Sequence, residues 1–180
     1  MNLWGLLLKC AGWKVDITVP YRDKAVICVA PHTSNWDFIV GLLAYRSIGR
    51  KASFLMKEFW FFFPLKYLFF ALGGIPVRQN TSQSLTSQLI SDFKTSTKLN
   101  LAVTPEGSRS AVQNWRTGFL TIAYNSGVLV QLAVIDFSKK EVIIHQEFIP
   151  TGDNQKDLEE IRKYYSQFQQ AAKYPDKFIS

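Results

Sequence analysis

The chain has 180 residues, of which 47% are hydrophobic, so it is long and apolar enough to fold around a core rather than remain disordered. Lysines and arginines outnumber acidic residues by 21 to 14, a net charge of +7. This charge favours an anionic partner: a nucleic acid, an acidic lipid surface, an acidic carrier protein or a phosphorylated small molecule. The two cysteines, Cys10 and Cys28, form no C-x-x-C pair, and with only two histidines the composition favours neither a disulfide scaffold nor a metal site.

The first half of the chain alternates between short apolar runs typical of strands and segments with helical spacing. In chain order, we predict an apolar helix over 1–12, strands over 14–19 and 25–30, a helix over 36–47, a strand over 52–56, a helix within 59–72 and a strand over 75–77. The start of the chain lacks the basic residues and cleavage site of a signal peptide. The apolar run 59–75 is interrupted by Pro64 and Lys66 and is shorter than the roughly 20 residues of a membrane span, so we expect no transmembrane helix.

The second half of the chain continues the alternation. We predict a helix over 81–94, a strand over 99–103, a helix over 117–125, strands over 128–135 and 141–148, and a helix over 153–173. The last helix is polar, and we expect it to have few side chains in the core. Strands that alternate with helices indicate an α/β fold: a mixed, largely parallel central sheet flanked by helices, in a single domain over 1–180.

Residues 30–37 (APHTSNWD) are the most informative stretch, because a histidine and an aspartate follow a buried strand directly. On one continuous helix, side chains five residues apart point about 140° apart. His32 and Asp37 can therefore meet only if His32 lies in a loop and Asp37 in the first helical turn, with Ser34 as N-cap. Asp37 could then accept one ring N–H and leave the other ring nitrogen basic. Spacing alone favours a second interpretation, a loop histidine and a capping aspartate with no chemistry between them.

Three further segments place cations at predicted strand ends. Residues 104–110 (TPEGSRS) put Arg109 after a buried strand, at the edge where α/β sheets hold their sites. Residues 73–78 (GGIPVR) put Arg78 at the end of a short strand, and Lys57 follows the strand 52–56. Two guanidinium groups at neighbouring strand ends would suit a phosphate. Taken alone, the 104–110 motif favours a surface turn with a solvated charge pair, and the alternative for Arg78 and for Lys57 is a surface charge.

In this order, the H-x4-D motif at 32–37, GGIPVR at 73–78 and PEGSRS at 105–110 resemble the motifs of the glycerolipid acyltransferase family, whose bacterial members include 1-acyl-glycerol-3-phosphate acyltransferase. The resemblance covers roughly residues 25–134. It implies that His32 deprotonates the acceptor hydroxyl, that Asp37 orients His32, and that the oxygen attacks an acyl thioester directly. The residues expected to form the acceptor and phosphate site are Lys57, Arg78, Glu106, Gly107, Ser108 and Arg109.

The chain departs from the family pattern in its fourth block. Relatives carry prolines in an apolar strand there, whereas residues 127–133 (GVLVQLA) contain none. This departure bears on the acyl-chain contacts and the donor preference more than on the chemistry. Ser108 also stands where threonine is commoner in the third motif. His145 has no acidic partner at motif spacing, and we interpret it as structural.

The segment 59–72 is aromatic on nearly every side, more than one helix face can bury. One interpretation is a central core helix. The other is that the segment dips into a membrane or lines an acyl tunnel, with Lys57 and Lys66 at headgroup level. We expect membrane or acyl-chain contacts from Trp60, Phe61, Phe62, Phe63, Phe69 and Phe70. The apolar helix at 1–13 is a further candidate for membrane contact.

The sequence thus favours an O-acyltransferase that moves a fatty acyl group from acyl-CoA or acyl carrier protein to a lysophospholipid, with 1-acyl-glycerol-3-phosphate as the leading acceptor and phosphatidic acid as product. Apart from the acyl thioester co-substrate, no cofactor is expected. The resemblance implies a cytoplasmic protein bound peripherally to the inner face of a bacterial cell membrane, on an anionic surface. Two alternatives stay open: an acyltransferase for a lyso-aminolipid or lipid A-type acceptor, and a non-catalytic peripheral lipid-binding protein. Nucleic acid is not expected, because the aromatics are not interleaved with basic residues.

Overall fold

A single seven-stranded sheet organises the computed structural model, which describes residues 2–77 and 84–179. Its strands are β1 Lys14–Ile17, β2 Lys24–Val29, β3 Ser53–Lys57, β4 Gly74–Val77, β5 Leu99–Val103, β6 Val130–Asp136 and β7 Glu141–Phe148. They lie in the order β1-β7-β6-β2-β5-β3-β4. All neighbouring strands run parallel except β6 and β7, which are antiparallel. The prediction of a mixed, largely parallel sheet is confirmed.

Helices connect these strands and cover both faces of the sheet. They are α1 Leu3–Cys10, α2 Asn35–Ser47, α3 Leu65–Leu72, α4 Leu85–Thr95, α5 Gly118–Ser126 and α6 Asn154–Ser166. Short 3-10 helices follow at Glu58–Trp60, Gln169–Ala171 and Pro175–Lys177. Buried side chains of α4, α5 and α6 form one large core with one sheet face. Those of α1 and α2 pack on the opposite face.

Strands β2 to β6 all run in the same direction, so their carboxyl ends lie at one edge of the sheet, whereas β1 and β7 run the other way. Strands β2 and β5 are neighbours at its centre, with β3 and β4 beyond β5 and β6 beyond β2. The His32 loop follows β2, the Glu106 turn follows β5, and Lys57 ends β3, so the topology gathers these chain segments along that edge. This is the edge at which open α/β sheets form their sites.

The predicted last helix is too long. Helix α6 ends at Ser166, not near residue 173, and the chain continues in two 3-10 turns. As predicted, few of its side chains reach the core, but two of them, Ile161 and Tyr165, are fully buried. The Tyr165 hydroxyl donates to the carbonyl oxygen of Cys28, 2.7 Å away, which ties α6 to β2 at the centre of the sheet. Burial raises the pKa of Tyr165 well above its usual value, so the hydroxyl keeps the proton that it donates.

The aromatic segment does not form a central core helix. All eight residues of α3 are at least partly exposed, and Phe63, just before this helix, is 76% exposed. Within the segment, Phe61 packs against Phe69 and Phe70, with ring centroids 5.9 and 4.9 Å away. Arg46 joins α3 to the neighbouring helices: its guanidinium donates to the carbonyl oxygen of Ala71 and lies over the ring of Trp4 in α1. Over residues 2–77 and 84–179, no helix combines the length and apolar character needed to cross a bilayer.

Candidate active site

His32 and Asp37 form a dyad at the carboxyl end of β2. His32 lies in the loop before α2, and Asp37 is the third residue of the helix. The His32 Nδ1 and Asp37 Oδ2 atoms are 3.0 Å apart, which confirms the predicted geometry. A carboxylate at Nδ1 selects the tautomer that carries its proton there, so Nε2 presents a lone pair and can act as a base.

The local sequence fixes Asp37 before any substrate arrives. Ser34 caps α2 and exchanges hydrogen bonds with Asp37 in a capping box. The same Asp37 oxygen also accepts the backbone N–H groups of Thr33 at 2.9 Å and Ser34 at 2.8 Å. Asp37 is only 3% exposed, so these bonds replace the water that its carboxylate gives up on burial. The loop and the carboxylate therefore hold each other, and the imidazole is oriented by a rigid partner.

Glu106 lies three residues after β5 and reaches across to the neighbouring loop that carries His32. Its Oε1 accepts the backbone N–H of His32 at 2.6 Å, while its buried Oε2 has no hydrogen-bond partner in the part of the chain that the structure describes. Burial, with a smaller contribution from the nearby Asp37 carboxylate, raises the pKa of Glu106 to about 8. The sequence places Glu106 in the acceptor site. The structure brings it against the backbone of His32, with 3% of its surface exposed, and its contact with an acceptor stays a prediction.

The turn after Glu106 carries the predicted phosphate residues. Gly107 has φ of 65°, a conformation that favours glycine, and a Cβ there would lie 2.6 Å from Nε of Arg116. Ser108 accepts the N–H of Ser110 within this turn. The Arg109 guanidinium donates to the side-chain oxygen of Asn35, the first residue of α2, and so lies beside the loop that carries His32.

Lys57, another predicted phosphate residue, lies farther along the same edge. Lys57 is the exposed last residue of β3 and pairs in register with Val77, the last residue of β4. Arg78 lies outside the described residues, so its place in the site stays a prediction. Of the predicted membrane or acyl-chain contacts, Phe61 and Phe69 are partly buried in the segment's own ring cluster. The other four are exposed: Trp60, Phe62, Phe63 and Phe70.

Three residues at the site were not predicted from the sequence. Asn35 lies between His32 and Asp37 in sequence, yet only the fold shows that Arg109 binds it. Arg116 packs on Gly107, and its guanidinium makes no hydrogen bond or ion pair with residues 2–77 or 84–179. Tyr174 donates its backbone N–H to the Thr33 hydroxyl at 3.2 Å, so the segment after α6 contacts the loop that carries His32. The sequence does show Arg116 just before a predicted helix. The contact between Tyr174 and Thr33 spans 141 residues, and no local sequence pattern indicates it.

Two other candidate groups, Cys28 and His145, have structural explanations. Cys28 is fully buried in β2, and burial raises the pKa of its thiol to about 12, which suits a core residue and not a nucleophile. His145 does have an acidic partner: its Nε2 lies 2.8 Å from Oδ2 of Asp16, on the neighbouring strand β1. Both side chains of this second pair are close to half exposed. Within the described parts of the chain, no group of three or more His, Cys, Asp or Glu side chains could hold a metal ion.

Comparison with known proteins assigns the family. The acyltransferase family model matches residues 15–136, which include the dyad and the Glu106 turn. The chain therefore belongs to the acyltransferase family, whose members transfer acyl groups. Its fold is similar to the crystal structure of the 1-acyl-sn-glycerophosphate acyltransferase PlsC from Thermotoga maritima, with a TM-score of 0.64 and 18% sequence identity. That match covers 95% of this chain and 79% of the other. A comparison with curated proteins gave no match.

Proposed function

We propose that this protein is an O-acyltransferase that moves a fatty acyl group from acyl-CoA or acyl carrier protein to the hydroxyl of a lysophospholipid. The leading acceptor is 1-acyl-glycerol-3-phosphate, which would give phosphatidic acid. The observation that carries the proposal is the His32–Asp37 pair, at 3.0 Å, with its aspartate fixed by two further backbone N–H groups. Membership of an acyl-transferring family and the likeness to a fold used for lysophosphatidate acylation support the same chemistry.

In the proposed reaction, His32 acts as the general base and Asp37 orients it. The Nε2 lone pair takes the proton from the acceptor hydroxyl as its oxygen attacks the thioester carbonyl carbon. The C–S bond then breaks, and the departing thiolate takes up the proton that His32 holds. The new C–O bond is an ester, so no covalent acyl-enzyme is needed. Asp37 stabilises the imidazolium that forms during the attack.

Arg109 and Lys57, together with Arg78, are proposed to hold the acceptor's phosphate, with Gly107 and Ser108 shaping the turn. The contact between Arg109 and Asn35 supports this assignment, since it places a guanidinium one turn from the dyad. Guanidinium forks bind phosphate oxygens in pairs, which also orients the ligand. A lyso-aminolipid would need fewer cations here than a phosphorylated acceptor.

A peripheral membrane position is proposed for the protein, on the anionic inner face of a bacterial cell membrane. Apolar side chains of α1, α2 and the aromatic segment are exposed, including Leu3, Trp36, Phe59 and Phe63. The net charge of +7 would attract anionic headgroups or an acidic acyl carrier protein. An apolar surface next to the dyad would let a lysolipid and its acceptor hydroxyl reach His32 from the bilayer.

The first test replaces His32 with alanine and uses the second histidine as its control. His32→Ala should lower the rate of acyl transfer to a lysolipid by at least a hundredfold, the usual size of general-base catalysis. His145→Ala removes the histidine of the exposed His145–Asp16 pair and should leave the rate unchanged. A His32→Ala variant within a few-fold of wild type would refute the base assignment.

The second test compares acceptors. Arg109→Ala and Arg78→Ala should each raise the KM for a phosphorylated lysolipid by about tenfold or more, since each removes a charge-assisted hydrogen-bond donor. With a phosphate-free acceptor the two variants should behave like wild type. Equal behaviour with both acceptors would favour the lyso-aminolipid alternative. Liposome binding without turnover on any thioester would favour a non-catalytic lipid-binding protein.

A further inference from the structure

Glu106 is a buried acid that the proposed reaction does not use. It lies on the loop after β5, whereas the backbone that it contacts belongs to the loop after β2, 74 residues earlier in the chain. The donor–acceptor distance of 2.6 Å between His32 N and Glu106 Oε1 is short for an N–H···O bond. This contact joins the catalytic loop to the neighbouring turn at the peptide that carries the imidazole.

The surroundings of Glu106 favour its neutral form. The charged and titratable groups near its carboxyl are Asp37 of α2, His32 itself, the Cys28 thiol of β2, and Arg116 beyond the adjoining Gly107. Asp37 would repel a second carboxylate, and among residues 2–77 and 84–179 the carboxyl of Glu106 receives one hydrogen bond, from the backbone N–H of His32. A buried carboxylate needs several donors or a cation in contact to offset its lost hydration. One backbone N–H does not offset the lost hydration of a carboxylate, so the neutral acid is favoured.

We propose that Glu106 is a positioning residue that holds the His32 backbone as a neutral carboxylic acid, and that it acts on the acceptor only through His32. The carbonyl oxygen of the acid accepts the His32 N–H and fixes the peptide from one side, while Asp37 fixes the ring from the other. Together they leave the imidazole little freedom to turn. Small displacements of a catalytic group cost much of its rate, so the bond matters for kcat. This role rests on the proposed function of His32 as the base.

Three substitutions separate this role from charge and from acceptor binding. Glu106→Gln keeps the carbonyl oxygen at the same reach and has no charge, so its kcat should stay within about threefold of wild type. Glu106→Asp keeps the carboxyl but is one methylene shorter, and Glu106→Ala has no acceptor atom. Both should lower kcat by about a hundredfold, with the KM for the acceptor nearly unchanged. Rescue by glutamine and not by aspartate is the expected pattern.

The other patterns overturn the proposal. If the glutamine variant loses as much kcat as the alanine variant, the carboxyl group acts through its negative charge. If the variants raise the KM for the acceptor and keep kcat, Glu106 binds the acceptor directly. If all three variants match wild type, the bond to His32 does not affect the reaction.

A second measurement reads the bond without any turnover. Hydrogen exchange of the His32 backbone amide should be slow in the wild type and in Glu106→Gln, and at least tenfold faster in Glu106→Asp, relative to amides of α5 in the same protein. Equal exchange in all variants would contradict the proposed bond. If no lysolipid is acylated by the wild type, the proposed function fails, while the exchange data still decide whether Glu106 holds His32.

Discussion

Asp37 concentrates three hydrogen bonds on one carboxylate oxygen. It receives the ring N–H of His32 and the backbone N–H groups of Thr33 and Ser34, all within 3.0 Å. One residue therefore sets both the shape of the loop and the tautomer of His32. An amide at this position retains much of the shape and loses the charge, so one variant allows the contribution to the fold and the proposed contribution to the chemistry to be measured side by side.

Asp37→Asn tests this double role. We expect kcat to fall by about a hundredfold or more, because a neutral amide stabilises the imidazolium less. The free energy of unfolding should fall by about 1–3 kcal/mol, because charge-assisted bonds to two backbone N–H groups are weakened. Steady-state kinetics and urea unfolding measure the two effects. Asp16→Asn, in the exposed His145 pair, is the matched control and should change neither quantity by much.

Gly107 and Gly127 form a natural matched pair of residues. Both have φ of 65°, but a Cβ at Gly107 would meet Arg116, whereas at Gly127 nothing lies within 4 Å. Alanine at either position should lower the free energy of unfolding by about 1–2 kcal/mol through backbone strain. Only Gly107→Ala should also raise the KM for a phosphorylated acceptor, by several-fold, because it displaces Arg116 and the turn that carries Arg109. Equal KM values in both variants would show that this turn does not touch the acceptor.

The raised pKa of Glu106 makes stability depend on pH. The carboxyl has a pKa of about 8 in the folded chain, against an ordinary value of 4.5. Between these values the folded state holds a proton that the unfolded state has lost. The contribution to stability is therefore full below about pH 4.5 and is lost as the pH rises toward 8, at a slope on the order of 1 kcal/mol per pH unit.

Denaturant unfolding of wild type and Glu106→Gln from pH 5 to 9 measures this slope, since glutamine does not titrate. The unfolding free energy of the wild type should fall relative to that of the variant up to about pH 8 and then run parallel to it. A constant difference across the range would contradict a buried acid that is neutral at pH 7.

At the scale of elements, the aromatic segment differs most from an ordinary buried element, because its large apolar side chains are exposed. Seven large apolar side chains between residues 59 and 70 are exposed: Phe59, Trp60, Phe62, Phe63, Tyr67, Leu68 and Phe70. Helices α1 and α2 also have exposed apolar side chains. Arg46 of α2 connects them to this segment, because its guanidinium contacts Trp4 of α1 and the carbonyl oxygen of Ala71 in α3. Large exposed patches of this kind mark interaction surfaces. The pattern supports the proposed membrane contact.

The double substitution Phe59→Ser with Phe63→Ser tests that contact. It should weaken binding to vesicles of phosphatidylethanolamine and phosphatidylglycerol by at least tenfold, since each inserted phenyl group contributes about 2 kcal/mol. Thermal stability should stay unchanged, because both rings are exposed in the folded chain. Ile149→Ser is the control, since Ile149 is 78% exposed at the opposite edge of the sheet. Cosedimentation that does not distinguish the double variant from the control would contradict membrane insertion.

Local patterns predict most elements and few of their partners. Strands β5 and β7 have the predicted bounds, and the helix after His32 begins at the predicted cap, because alternation, apolar runs and capping residues act within a few positions. The last helix is wrong beyond Ser166, because its polar sequence does not show that residues 171, 172 and 178 fold back into the core. The burial of Glu106 is equally hidden, since a glutamate in a glycine turn reads as a surface residue.

At the scale of the molecule, the topology creates the site. The dyad loop and the Glu106 turn are far apart in sequence, and they meet because β2 and β5 are parallel neighbours with their carboxyl ends together. Order and direction of strands follow from long-range packing. The sequence therefore predicts a mixed, largely parallel sheet, but not which pair of strands is antiparallel and not the His145–Asp16 pair between β7 and β1. The motifs indicate which residues form the candidate site, and the strand order determines the distances between them.

The most direct test of the central claim is product identification. The purified protein is incubated with a panel of lysolipids and with both acyl-CoA and acyl carrier protein donors, and the products are identified by mass. We predict a product heavier than 1-acyl-glycerol-3-phosphate by one fatty acyl group, formed by the wild type and by His145→Ala and absent with His32→Ala. No acylated product with any acceptor and either donor, or equal product from His32→Ala, would contradict the proposed function.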